Sequence, residues 1–176
     1  MMRTSFWVGM AAMLLASMTP TATPAAAQSQ YWQCAPFARM ISGIQLFGRA
    51  ADWWAQAAGK YQRGQTPKVG SVLSFRAFRA MPAGHVATVS EVVDARTVKL
   101  THANWSIING RRGQVERDVT AVDVSEAGDW SKVRVWWRPS RGLGMTAYPT
   151  NGFIYAAAEA AKAMMATGAE MVKNDD

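Results

Sequence analysis

Residues 85–104 read HVATVSEVVDARTVKLTHAN, two runs of alternating apolar and polar residues separated by a short polar break at 94–96. Such alternation is typical of half-buried strands, and the short break predicts that the two strands form an antiparallel hairpin. In a hairpin the start of the first strand lies beside the end of the second. We therefore expect His85 and His102, the only two histidines of the chain, to lie near the same end, with Asn104 on the face that His102 occupies.

The only cysteine of the chain, Cys34, stands where an apolar pattern with three- and four-residue spacing begins. This pattern predicts a helix over 34–42 that Gly43 ends. The first turn of a helix has unpaired N–H groups and the positive end of the helix dipole, and both stabilise a thiolate. Cys34 is therefore a candidate nucleophile, and the alternative is that it is a small buried apolar residue.

If the helix over 34–42 covers the hairpin, the thiol, both imidazoles and the amide of Asn104 come together. The remaining elements follow from composition and from helix- and strand-ending residues. The alanine-rich segment 49–58 predicts a second helix that ends at Gly59. Further strands are predicted at 71–75, 115–119, 133–137 and 152–155, and a helix at 156–173.

The N-terminus predicts export. Residues 1–27 carry one arginine, an apolar run and Ala25-Ala26-Ala27, which is typical of a secretory signal peptide cleaved after Ala27. The apolar run is too short for a comfortable membrane span, so we expect no transmembrane segment in the mature protein and place it in the periplasm or the medium.

The charge of the chain indicates which surfaces attract it. Its formal net charge is +7, and removing Arg3 with the leader leaves +6. A basic exported protein is drawn to anionic surfaces such as cell-wall polymers. The arginines are scattered, with only Arg111 and Arg112 adjacent, which argues against a nucleic-acid partner.

A cysteine and a histidine together suggest nucleophilic catalysis. The imidazole takes the thiol proton, the thiolate attacks a carbonyl, and the proton is later returned to the leaving amine. A third group must hold the imidazole, and either Asn104 or an unprotonated nitrogen of His102 can accept that hydrogen bond. The backbone N–H of Cys34, helped by the side-chain amide of Gln33, would form the oxyanion hole for an attack assisted by His85.

The chain resembles a known family, the CHAP domains, which are cysteine, histidine-dependent amidohydrolases/peptidases. The resemblance lies in Gln33-Cys34, Ala51-Asp52-Trp53-Trp54, Thr66-Pro67-Lys68-Val69-Gly70, Gly84-His85-Val86-Ala87 and Asn104-Trp105. It implies an α+β, papain-like domain, which we place at 28–155, with N-terminal helices packed on a small antiparallel β-sheet. The composition of 156–176 predicts an alanine-rich helical tail after it.

The resemblance also implies the activity. The substrate would be peptidoglycan, and the reaction that of an N-acetylmuramoyl-L-alanine amidase or of a peptide cross-link endopeptidase, with no metal or organic cofactor. Carried onto this chain, the nucleophile of the family falls on Cys34, its general base on His85 and its supporting asparagine on Asn104. Many members place an acidic residue where this chain has His102. A neutral imidazole orients a base less strongly than a carboxylate does, so either Asn104 takes that role or the activity is low.

Two alternatives belong to other functional classes. The domain could bind the cell wall or a partner hydrolase without cutting, with the tail at 156–176 as a docking segment for a protein partner. The second alternative is a zinc-dependent amidase that uses Cys34, His85 and His102 as ligands. His102 could also be no more than a hydrogen-bonded structural histidine.

Overall fold

The protein is mostly β-structure in the computed structural model, which describes residues 30–79 and 81–157. The helical part is short and comes first, with α1 at Cys34–Ser42, a 3-10 turn at Ala50–Asp52 and α2 at Trp53–Gln56. A second 3-10 turn lies at Arg138–Ser140. The strands are β1 Gln62–Gly64, β2 Val72–Phe75, β3 His85–Asp94, β4 Thr97–Ala103, β5 Val115–Asp123, β6 Lys132–Trp137, β7 Gly142–Leu143 and β8 Tyr148–Tyr155.

The strands form one antiparallel sheet that closes on itself. Its order is β1-β8-β2-β3-β4-β5-β6-β7, and β8 pairs with β6 as well as with β2. Six strands, β2 to β6 and β8, therefore form a closed barrel, while β1 and β7 extend it at the outside. Closure removes the free edges that an open sheet would have.

The predicted fold class is wrong. We expected a papain-like α+β domain with helices packed on a small sheet, and the structure is instead a closed six-stranded antiparallel barrel with only two short helices among the described residues. The helix expected at 49–58 is reduced to a 3-10 turn and the four residues of α2. The closing strand, β8, pairs with β2 and β6, which are distant in sequence, and local periodicity carries no signal for such pairings.

The predicted hairpin is present as β3 and β4, which pair antiparallel with Thr88 opposite Thr101 and Val89 opposite Leu100. Two apolar clusters lie on opposite faces of this part of the sheet. One fills the barrel and includes Leu73, Leu100 and Phe153. The other lies under α1 and α2 on the outer face and contains Ala35, Ala38, Ile44, Leu46, Ala50, Trp53, Ala57, Val72, Val86 and Ile154.

Two glycines position the helical segment against the barrel. Gly43 takes φ 75° and donates its N–H to the carbonyl of Arg39, which ends α1 where the sequence predicts. Gly84 takes φ 67°, and a Cβ on it would lie 2.7 Å from the backbone nitrogen of Ala51. This close approach fixes the start of β3 beside the 3-10 turn.

The proposed signal peptide at 1–27 lies outside the described residues, and so does the predicted tail helix from residue 158 onward. These expectations therefore stay predictions. None of the described helices is long and apolar enough to cross a membrane.

Candidate active site

Cys34 is the first residue of α1 and is half-buried. The residue before it, Gln33, is extended and makes no side-chain cap to the helix. The first hydrogen bond of this turn runs from the N–H of Phe37 to the carbonyl of Gln33, at 3.2 Å. The N–H groups at 34 and 35 precede that bond, so they are free to hold an anion beside the thiol.

His85 begins β3 and His102 lies near the end of β4, and the structure brings the two imidazoles together. Nε2 of His85 lies 3.0 Å from Nδ1 of His102, with the ring planes at 79°. Both residues are buried, with exposed fractions of 3% and 1%. The hydrogen bond occupies Nε2 of His85, so Nδ1 is the nitrogen left for proton transfer.

Asn104 follows β4 and adopts φ 64°, a conformation that asparagine tolerates better than most residues. Its side-chain amide does not hydrogen-bond His85. Instead Nδ2 donates to Oε1 of Gln33 at 2.8 Å, and Gln33 in turn donates from Nε2 to the hydroxyl of Tyr31 at 3.1 Å. Asn104 thus binds the side-chain carbonyl oxygen of Gln33, the residue that precedes Cys34, and leaves the NH₂ group of that side chain as a donor.

Trp105 covers the histidine pair. Its ring centroid lies 4.8 Å from that of His85 and 5.4 Å from that of His102, and it is stacked on the latter at 30°. The indole N–H donates to the carbonyl of Trp136 at 3.0 Å, which holds the ring in place. The apolar face of Trp105 excludes water from both imidazoles.

The pKa values reflect this burial. Desolvation holds the pKa of His85 well below its usual 6.5, with smaller contributions from His102 and the charge of Arg112. Desolvation also lowers the pKa of His102 to about 3. Burial raises the pKa of the Cys34 thiol, and backbone hydrogen bonds, that of Val86 first among them, act in the opposite direction. Near neutral pH the site therefore rests as a thiol and two neutral imidazoles.

Cys34, His85, Asn104 and Gln33 line one cleft of about 780 Å³. Its other walls are formed by residues from the β2–β3 and β4–β5 connections and from β6 to β8. They include Phe78, Arg79, Met81, Trp105, Arg112, Trp137, Leu143, Met145 and Tyr148. The predicted site residues that face this cleft are thus brought together, while His102 lies behind His85.

Two residues of this region were missed by sequence reasoning. Arg112 lines the cleft, donates to the carbonyl of Trp105 and lies with its guanidinium 5.6 Å from the ring centre of Trp137. Glu116 on β5 is 3% exposed and lies opposite His102. Strict alternation along β5 would place Glu116 on the same face as Asp118 and on the face opposite Val119. The strand is irregular here, because its pairing with β4 shifts after Leu100 and Asp118 has φ 51°.

A metal site is not evident in the described ranges, 30–79 and 81–157, where no group of three or more His, Cys, Asp or Glu side chains is placed to hold an ion. The proposed zinc ligands His85 and His102 direct a nitrogen each toward the other. The arrangement therefore favours an imidazole hydrogen bond over shared coordination of a cation.

Comparison with known proteins gives one positive finding. The family model of the CHAP domain matches residues 25–104, a range that contains Gln33, Cys34, His85, His102 and Asn104. No curated protein matches the chain. CHAP domains are a family of peptidoglycan hydrolases of the amidase and peptidase type and are typical of cell-wall enzymes. The predicted resemblance is confirmed, since the family model of the CHAP domain matches residues 25–104.

Proposed function

We propose that the protein is an exported cysteine hydrolase that cleaves an amide bond of peptidoglycan, with Cys34 as nucleophile and His85 as general base. The observation that carries the proposal is the cleft itself. Cys34, on the first turn of α1, and His85, held from behind by His102 at 3.0 Å, line the same cavity. A nucleophile, a base and a group that orients the base are the parts that thiol-dependent acyl transfer requires.

The first half of the reaction forms a thioester. The thiol proton passes to Nδ1 of His85 as Sγ of Cys34 attacks the carbonyl carbon of the scissile amide. The resulting oxyanion accepts hydrogen bonds from the N–H of Cys34 and from Nε2 of Gln33. Collapse of this intermediate breaks the C–N bond, and His85 returns the proton to the leaving amine.

The second half uses water as the nucleophile. His85 takes a proton from the water that attacks the thioester, and the C–S bond breaks as the carboxylic acid product forms and the thiol is restored. Asn104 contributes in both halves by fixing the side chain of Gln33 through the 2.8 Å hydrogen bond. In this proposal His102, rather than Asn104, orients the base, because Nδ1 of His102 is the partner of His85.

The charge of the cleft supports an anionic substrate. Arg79 and Arg112 are on its wall, and among the described residues that line it there is no Asp or Glu. Aromatic side chains on the same wall, such as Trp137 and Tyr148, offer flat apolar surface beside these charges. Carboxylate-bearing peptides and the sugars to which they are attached match such a surface.

The test is mass spectrometry of soluble fragments released from purified peptidoglycan by wild type, Cys34→Ala and Cys34→Ser, each with and without a chelator. We expect fragments from wild type alone, a loss of at least about 10³-fold in both variants, and no effect of the chelator. The fragment masses identify the bond. Because Cys34 is the only cysteine, wild type alkylated with iodoacetamide serves as a matched control that leaves the sequence unchanged.

Other outcomes are equally informative. Fragments from Cys34→Ala would remove the nucleophile assignment. Activity that a chelator abolishes and zinc restores would favour the zinc amidase. If protein pellets with the wall and wild type releases no fragments, the domain is a binding module.

Export and processing are part of the same proposal. We expect residues 1–27 to be removed, so that the mature protein begins at Gln28, and the tail at 156–176 to be available to a protein partner. N-terminal sequencing of the protein recovered from its native compartment tests the cleavage. A mature N-terminus at residue 1 would contradict export by this leader.

A further inference from the structure

A buried carboxylate lies on the strand next to His102. Glu116 on β5 is directly opposite His102 on β4 in the register of the two strands. The exposed fractions are 3% for Glu116 and 1% for His102. Residues that are directly opposite on an antiparallel pair share a face, with Cβ atoms about 4.5 to 5.5 Å apart. The carboxylate and the second histidine are therefore side by side in the barrel.

Only half of this carboxylate has a structural role. Oε1 of Glu116 accepts the backbone N–H of Ser106 at 2.7 Å. Among the described residues, Oε2 of Glu116 and Nε2 of His102 are both buried without a hydrogen-bond partner. Burying a carboxylate oxygen or an imidazole N–H without a hydrogen-bond partner destabilises the folded state, so we expect each of these two atoms to have a partner. The separation of opposite residues can be spanned directly or through one water molecule.

The tautomer of the histidine pair decides whether His85 can act as a base. The 3.0 Å contact between Nε2 of His85 and Nδ1 of His102 holds one proton. If His85 donates, its Nδ1 is unprotonated and can accept the thiol proton, and the single proton of His102 must then be on Nε2. If His102 donates, the single proton of His85 is on Nδ1, and that nitrogen cannot act as a base.

We propose that Glu116 is a positioning residue, whose carboxylate accepts the Nε2 proton of His102 and so holds both histidines in the tautomer that leaves Nδ1 of His85 free. It supplies from β5 the negative charge that His102 cannot supply from β4. The proposal rests on the proposed function for its catalytic meaning, but the tautomer it assigns is a property of the free protein.

The same carboxylate stabilises the charge that develops during the reaction. When Nδ1 of His85 takes the thiol proton, the imidazolium donates from Nε2 to His102, which donates to Glu116, and no further proton moves. The other charged or titratable groups around the pair are Cys34 on α1, Arg112 between β4 and β5, and Tyr148 on β8, which reaches it through Trp105. Arg112 opposes a positive charge on His85, and the proposed hydrogen bond from His102 to Glu116 would act in the opposite direction.

The first experiment reads the tautomers directly, by long-range ¹H–¹⁵N correlation of the folded protein near neutral pH. The chain has only two histidines, so selective ¹⁵N-histidine labelling gives two ring systems. We expect both rings to carry the proton on Nε2. Protons on Nδ1 of both rings would overturn the proposal, and this result needs no variant and no substrate.

The second experiment removes the charge and keeps the shape. Glu116→Gln can still accept the N–H of Ser106, and we expect it to lower the rate of iodoacetamide alkylation of Cys34 near neutral pH about tenfold. Asp123→Asn is the matched control, because Asp123 is a 2% exposed carboxylate on the same strand that binds Ser125 and Trp130 instead of the histidines. We expect the control to lose stability and to keep the alkylation rate within about twofold.

The comparison separates the alternatives. An alkylation rate for Glu116→Gln equal to wild type would make Glu116 a structural residue and overturn the proposal. If that variant does not fold, Glu116→Asp and the tautomer measurement decide the question. Because aspartate keeps a carboxylate at this position, Glu116→Asp should keep part of the wild-type alkylation rate. Because neither readout involves peptidoglycan, correct tautomers without released fragments would contradict the proposed function and leave this inference standing.

Discussion

Two buried neutral histidines should make the stability of the protein depend on pH in a window where few other groups titrate. The chain has no other histidine, and ordinary carboxylates titrate lower, near about pH 4. The pKa of His102 is about 3 in the folded protein against the ordinary 6.5, and that of His85 is also well below 6.5. Below pH 6.5 the unfolded chain therefore binds more protons than the folded one. The free energy of unfolding is unaffected by these groups above that pH and falls as the pH decreases toward 3.

The magnitude follows from linkage. A histidine that is protonated only in the unfolded chain costs about 1.4 kcal/mol for each pH unit below 6.5, or about 2 kcal/mol at pH 5. His102 alone should therefore remove about 2 kcal/mol between pH 7 and pH 5, and His85, whose pKa is lowered in the same direction, adds to this loss. This is a large part of the about 5 to 15 kcal/mol that stabilises a typical domain. Replacing His102 by glutamine keeps a polar partner for His85 and removes one of the two titrations.

The assay is urea unfolding followed by tryptophan fluorescence at about pH 7, 6 and 5. We expect the free energy of unfolding of wild type to fall by at least about 2 kcal/mol over this range and that of His102→Gln to fall by less. A wild-type free energy that does not change with pH would refute the claim that both imidazoles are buried and neutral. An unchanged slope in His102→Gln would refute the contribution of that residue.

Three further results are expected. Asn104→Gly keeps the left-handed backbone and removes the 2.8 Å bond to Gln33, so kcat should fall about tenfold with little change in the urea midpoint, and unchanged kcat would contradict the role of the bond. Gly84→Ala should lower the free energy of unfolding by about 3 kcal/mol or more, because its Cβ would lie 2.7 Å from the backbone of Ala51. Gly48→Ala, which has a positive φ but open space around it, should lower it by about 1 to 2 kcal/mol. Equal melting temperatures for the two variants would contradict this. The plateau of kcat/KM should extend below pH 6.5, because burial lowers the pKa of the general base, and an acid limb at or above 6.5 would show that the base is solvated.

The parts of the site that the sequence predicts are those set by local rules. Gly43 ends the first helix where the apolar spacing stops. The alternating run in 85–104 forms the hairpin of β3 and β4, which brings His85 to His102. Strand alternation, turn length and helix-ending residues are local patterns within about twenty residues, so they can be predicted from a single sequence.

The parts that the sequence does not predict depend on distant pairing or on local irregularity. The strand containing Tyr148 pairs with both β2 and β6, and this closure turns an expected open sheet under helices into a barrel. The left-handed turn at Asn104 directs its amide to Gln33. The irregular pairing near Asp118 places Glu116 inside the barrel, contrary to simple alternation. An irregularity in a strand interrupts the alternation of buried and exposed residues, and the burial of the residues beside it can then no longer be predicted from that alternation.

The most direct test of the central claim is to trap the covalent intermediate. Wild type mixed with soluble peptidoglycan fragments, quenched in acid within a single turnover and digested, should give one peptide carrying the mass of an acyl fragment on Cys34, and hydroxylamine should remove that mass. Fragment release with no adduct on Cys34 at any quench time, together with full activity after alkylation of the thiol, would contradict the account.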